Sequence, residues 1–124
     1  MRPFIAKDGR YIIPTEHIAK FIGKRNASKG KTLIILSHNK AKYLTPKEIH
    51  ARTGLSLSYL YARLTFWYRI RYVDRKALAP ETGRPVWTYR IGSRGLRFIR
   101  ERMPMATYAR YLVELKEWQD GNRG

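Results

Sequence analysis

Residues 44–90 hold a run of local signals that leaves this chain few ways to fold. At Thr45-Pro46-Lys47-Glu48 a threonine stands where a helix N-cap belongs, proline follows at the first helical position, and a glutamate sits three residues after the cap. That is a capping box, in which the threonine hydroxyl and the glutamate carboxylate each satisfy a backbone N–H left orphaned by the helix start. Thr53-Gly54 ends the helix at once, because glycine supplies the left-handed residue of a C-terminal turn. Ser56 then caps a second helix, along which Leu57, Leu60, Leu64 and Trp67 recur at helical spacing to about residue 69. After it, Tyr72-Val73 opens a strand to about Ala77. Pro80-Glu81-Thr82-Gly83-Arg84-Pro85 reads as a turn, and residues 86–91, Val-Trp-Thr-Tyr-Arg-Ile, read as a return strand rich in β-branched and aromatic side chains.

The flanking segments read as helical. Residues 1–13 are expected to be an extended arm with a turn at Asp8-Gly9. Thr15 is expected to cap a helix over 16–24 that carries Ile18, Phe21 and Ile22, and Gly23-Lys24-Arg25-Asn26 to end it. A helix over 28–39 follows with Leu33, Ile34 and Leu36 inward and Gly30 weakening its first turn. Ser93 is expected to cap a helix ended by Pro104, and Tyr108, Tyr111, Leu112, Leu115 and Trp118 mark a last helix over about 107–119. The chain divides into an N-terminal arm and helix (1–30), a central unit (31–103) and a C-terminal helix (104–124).

Composition narrows the chemistry. The net charge is +17, and its distribution matters more than its size. Residues 1–43 hold ten Lys/Arg against two Asp/Glu, residues 44–103 thirteen against four, and residues 104–124 three against three. The last segment is neutral, so a polyanion would bind elsewhere. Cysteine is absent, which removes disulfides, thiolate metal sites and cysteine nucleophiles. His17, His38 and His50 are widely spaced and fit no metal-ligand pattern, so they read as structural. The carboxylates form no close pair suited to acid–base work, and Gly30-Lys31-Thr32 lacks the upstream glycine of a phosphate loop. Neither an enzyme nor a cofactor is expected. The longest aliphatic run, Leu33-Ile34-Ile35-Leu36, is too short to cross a bilayer, and the N-terminus lacks a signal-peptide core; a cytoplasmic, nucleoid-associated protein is expected.

The order short helix, glycine turn, longer helix and basic hairpin resembles the winged helix-turn-helix domains of bacterial and archaeal transcription regulators such as the MarR and PadR families. The matching residues are Thr45-Pro46-Lys47-Glu48-Ile49, Thr53-Gly54-Leu55-Ser56, Leu60/Leu64/Trp67, Tyr72-Val73-Asp74-Arg75, Thr88-Tyr89-Arg90-Ile91 and Ser93-Arg94-Gly95. The resemblance spans about residues 31–103 and is specific for the fold rather than for one family. It implies a mainly α fold with a small β-hairpin: a winged helix-turn-helix with additional N- and C-terminal helices. One residue departs from the pattern: Arg71 stands where these regulators carry glycine at the exit of the reading helix.

In this docking mode helix 56–69 enters the major groove and the wing, 73–91, meets the minor groove or phosphates. With Leu57, Leu60 and Leu64 inward, the opposite face is expected to show Ser58, Tyr59, Ala62 and Arg63, with Arg69 further along. Arg63 suits a bidentate guanine contact, and Ser58 and Tyr59 suit base or phosphate. Thr45, Lys47, Arg52 and Ser56 can reach phosphate beside the helix starts, and Arg75, Lys76 and Arg84 supply the wing. Lys24, Arg25, Lys29 and Lys31 form a second basic cluster. The expected partner is double-stranded DNA, and, as in regulators where the helix after the wing pairs subunits, a homodimer through the terminal helices. A sequence-specific regulator, an architectural DNA-coating protein and an RNA-binding winged-helix protein all remain open at this point.

Overall fold

The computed structural model describes residues 4–78 and 83–121. The fold is mainly helical with one two-stranded antiparallel hairpin, in the order α1 (Thr15–Ile22), α2 (Lys24–His38), α3 (Pro46–Thr53), α4 (Leu57–Arg69), β1 (Val73–Leu78), β2 (Val86–Ile91), α5 (Ser93–Arg102) and α6 (Met105–Gly121). None of the described helices is long and apolar enough to cross a membrane.

The α3–α4 segment forms as its local chemistry dictates. Thr45 Oγ1 accepts from the Glu48 N–H at 3.1 Å, and Glu48 Oε1 accepts from the Thr45 N–H at 3.1 Å. Gly54, at φ 75°, donates to the His50 carbonyl, and Ser56 Oγ accepts from the Tyr59 N–H. Two further contacts lock the turn: the Leu55 N–H donates to Thr53 Oγ1, and His50 Nδ1 donates to the Leu55 carbonyl at 2.6 Å. His50 is thus a structural histidine, as are His38, bonded to Gln119, and His17, bonded to the Tyr111 hydroxyl.

The N-terminal half departs from the sequence reading. Lys24-Arg25-Asn26 does not end α1; it is the first turn of α2, and Gly23 alone, at φ 88°, makes the break. α2 is buried from Gly30 through Ser37 and packs against α1, α3, α5, α6 and β2. Gly30 lies mid-helix rather than in a first turn. A Cβ there would come within 2.3 Å of Ile22 Cδ1, so the glycine leaves room for the end of the Ile22 side chain against α2. Thr15 is the first residue of α1, capped by Pro14 without a side-chain bond, and its hydroxyl accepts from Lys31 Nζ at 3.2 Å. Lys31 itself is only 4% exposed, and burial lowers its ammonium pKa to about 8.

Hairpin register pairs Val73 with Ile91 and Leu78 with Val86. Residues 79–82 of the expected turn lie outside the described residues. Leu44 exchanges two backbone hydrogen bonds with Tyr89, at 2.7 and 2.8 Å, which fastens the chain just before α3 to β2. At the exit of α4 the Tyr72 N–H reaches the Trp67 carbonyl and the Arg71 N–H the Tyr68 carbonyl, the bond pair of a Schellman turn. Arg71 sits in it at φ 65°, so the arginine adopts the backbone conformation that glycine would take there, and α4 is neither lengthened nor distorted. Gly92, not Ser93, caps α5. A Cβ on Gly95 would fall 2.2 Å from the Tyr72 carbonyl oxygen, so α5 rests directly on the backbone leading into β1.

α6 runs longer than expected at both ends, and its aromatic stripe is covered by its own chain. Tyr111 and Leu115 are buried, Tyr108 donates to Ser37 Oγ at 2.8 Å, and Trp118 Nε1 donates to the Gly9 carbonyl at 2.7 Å. The N-terminal segment is not a free arm. Ile5 bridges Tyr11, Phe4 packs on Tyr11, His17 and Tyr111, and the Tyr11 hydroxyl donates to Glu114.

Candidate nucleic-acid interface

The orientation of α4 decides what it can offer a ligand. Leu60, Leu64 and Trp67 are buried, whereas Leu57 is half-buried. The outward face is therefore close to the expected one and extends further toward the hairpin. Ser58, Ala62 and Arg69 are exposed on it, with Tyr61, 57% exposed, and Thr65 beside them. Tyr61 and Thr65 border a groove with Pro46, Pro85, Val86 and Trp87, so α4 and the hairpin present one continuous surface.

Of the residues expected on this face, Tyr59 is withdrawn and Arg63 stands at its edge. Tyr59 is half-buried, edge-on to Trp67 at 6.1 Å between ring centroids, and burial raises its hydroxyl pKa. Arg63 is exposed but leans over the Tyr59 ring, on the flank of α4 that meets Arg25, Asn26 and Lys29 of α2.

On the hairpin, Arg75 is not free to reach a groove. Its guanidinium lies between the Tyr68 ring at 4.1 Å and the Trp87 ring at 4.0 Å, and its Nε is buried without a hydrogen-bond partner. It packs the hairpin against the end of α4. Lys76 is exposed with its ammonium 4.9 Å from the Tyr43 ring, which Arg90 also covers while pairing with Asp74 at 3.6 Å. Arg84 is exposed beside Gly83, the latter at φ 91°.

The residues at the helix starts divide by role. The Thr45 and Ser56 hydroxyls are engaged as caps. Lys47 is exposed in the first turn of α3, where the helix dipole adds positive potential. Arg52 is half-buried in the last turn. Tyr61, Thr65 and Tyr43 were missed by sequence reasoning. For Tyr61 and Thr65 a signal existed, since they are four residues apart and flank the Ser58–Ala62 line on the helix surface. Tyr43, in the connection before α3, gave no such periodic signal.

Comparison of the chain with family models, with curated proteins and with solved structures finds no match to any of them. Among the described residues no group of histidine and carboxylate side chains could hold a metal ion.

Proposed function

We propose that the chain is a double-stranded DNA-binding protein of the winged helix-turn-helix kind, most consistent with a transcription regulator, with α4 in the major groove and the hairpin along the neighbouring phosphates or minor groove. The reading rests above all on one observation: a doubly capped helix pair that leaves Ser58, Tyr61, Ala62 and Arg69 in solvent, with half-buried Thr65 among them, beside an exposed hairpin. An α-helix with its side chains is about 10–12 Å across and the major groove about 12 Å wide, so such a face can approach base edges. Hydroxyls donate and accept, small Ala62 allows close approach, and a single arginine supplies a fork for guanine or phosphate. Lys47 and Arg84 lie where they can fix the register on the phosphates.

The second reading, an architectural protein with little sequence preference, is favoured by a different observation. The outward face of α4 carries one cation, Arg69, while the chain carries +17, so most of the charge lies off the reading helix.

Titration against a panel of duplexes at physiological salt separates the two. A regulator is expected to prefer one duplex by about 10³-fold or more, while a coating protein binds all with a steep salt slope. Tyr61→Ala together with Thr65→Ala is expected to flatten the preference by about 30-fold or more, each lost base contact being worth about 1–3 kcal/mol. Arg84→Ala is expected to weaken all duplexes alike and reduce the salt slope by about one. Binding of structured RNA in preference to every duplex would reject both DNA readings.

A further inference from the structure

A second cationic surface lies where α2, the start of β1 and α5 meet. The Tyr72 and Phe98 rings stand side by side, centroids 5.5 Å apart, where β1 begins and α5 packs. Three cations cover them: Lys29 of α2 lies 5.0 Å from Tyr72 and 4.4 Å from Phe98, Arg94 lies 5.9 Å from Tyr72, and Arg102 lies 4.5 Å from Phe98. Arg97 borders the same depression, and Glu101 is the acidic residue that joins it there.

The electrostatics of this cluster are unfavourable in isolation. Burial first, then the charges of Arg102 and Arg63, hold the Lys29 ammonium below its usual pKa, and no carboxylate offsets them. No ion pair is formed by Lys29, Arg94, Arg97 or Arg102 among the described residues. Like charges pressed over two aromatic faces gain from the rings but repel one another. An extended polyanion relieves that repulsion along its whole length, as a single small anion cannot. The DNA backbone, with a phosphate charge about every 1.7 Å of duplex axis, has that form.

The position matters as much as the charge. α5 makes its main contacts with α2 and β1, and although Ser93 at its start borders Tyr68 and Arg69 at the end of α4, the depression lined by Arg94, Arg97 and Arg102 shares no residue with the groove that carries Tyr61 and Thr65. We propose that the Lys29/Arg94/Arg97/Arg102 surface binds the phosphate backbone of a second DNA duplex, so that one copy of the chain bridges two duplex segments. This rests on the reading of α4 as the first DNA-binding face.

Bead capture tests it. A biotinylated duplex is immobilised, the protein is added at about 0.15 M salt, where charges more than about 8 Å apart are screened, and capture of a second, fluorescent duplex from solution is read. Wild type is expected to capture the second duplex. Arg94→Gln/Arg97→Gln/Arg102→Gln is expected to bind the first duplex within about threefold of wild type and to capture at least about tenfold less of the second. The triple lysine variant at the same positions keeps the charge and is expected to retain capture. Three results would overturn the bridging surface while leaving α4 untouched: no second duplex captured by wild type that holds the first, capture by the glutamine variant equal to wild type (as a dimer presenting two α4 helices would give), or capture of structured RNA in place of duplex. Failure of wild type to bind the first duplex would instead remove the α4 reading, and bridging with it.

Discussion

The two flanks of α4 use the same residue types for opposite ends. On the hairpin side the cations of the strands are held in structure: Arg75 is clamped between Tyr68 and Trp87, Arg90 pairs with Asp74, and Lys76 lies against Tyr43, while Arg84 at the tip stays exposed. On the α2–α5 side Lys29 and Arg102 share Phe98 and crowd one another. An arginine between two rings acts as packing material, because its flat, weakly hydrated guanidinium tolerates burial. A group of cations on one ring pair acts as a field. The count of basic residues is therefore a poor guide to where a polyanion binds, and the partners of each one are a better guide.

The largest test of this contrast strikes the platform on which the second flank is built. Gly95→Ala places a Cβ 2.2 Å from the Tyr72 carbonyl oxygen, a backbone atom that cannot swing aside. A loss of about 3 kcal/mol is expected in denaturant melts, the upper range for overpacking. An unchanged midpoint would mean that α5 does not rest on β1 at this distance.

Next in size is the contrast between two lysines of one helix. Lys29 sits at the surface cluster, whereas Lys31 is buried with the Thr15 hydroxyl as its partner. With a folded pKa near 8 against 10.5 in the unfolded chain, the unfolded state binds more protons between those values. Stability therefore rises as pH climbs through that window, and below about 8 the burial penalty is at its full size. Lys31→Met is expected to be more stable than wild type at pH 7 by roughly 1–2 kcal/mol, after allowance for solvent screening of the ammonium, and to lose that advantage toward pH 10. A difference independent of pH would mean that Lys31 does not titrate in this range.

A paired substitution then sets flank against flank. Arg75→Ala is expected to cost about 1 kcal/mol, since its two ring contacts go with it. Arg102→Gln, which relieves Lys29 of a like charge, is expected to leave the melting temperature unchanged or raise it. If both variants lose stability equally, the two flanks do not differ in kind. The smallest effect is expected at Arg71. Arg71→Gly removes a left-handed strain of about 1–2 kcal/mol but adds unfolded-chain entropy of about 0.4–1 kcal/mol, for a net gain of about 1 kcal/mol or less in thermal melts.

What the sequence disclosed followed the range of the interactions involved. The capping box at Thr45 and Glu48, the Gly54 turn and the Ser56 cap depend on atoms within a few residues, and they form as read. The return strand of the hairpin was legible from its β-branched and aromatic run, Val86–Ile91. The partial burial of Tyr59 was not, because it depends on α2 residues distant in sequence that close over that flank of α4. Nor was the start of α2: a polar Lys-Arg-Asn triplet looks like a terminus unless one knows that Ala27, four residues after Gly23, is buried against its neighbours. The α6 stripe was visible, but its partners, among them Ser37, Gly9 and Tyr11, are distant in sequence.

The exchange of hydrogen bonds between Leu44 and Tyr89 carries a mechanical consequence. Leu44 immediately precedes the Thr45 cap of α3, and Tyr89 lies in the middle of β2. The hairpin and the first turn of α3 are thus hinged at one rivet. A force that lifts the hairpin is transmitted to the residue that starts α3, so the hairpin and the start of α3 move as a single jaw.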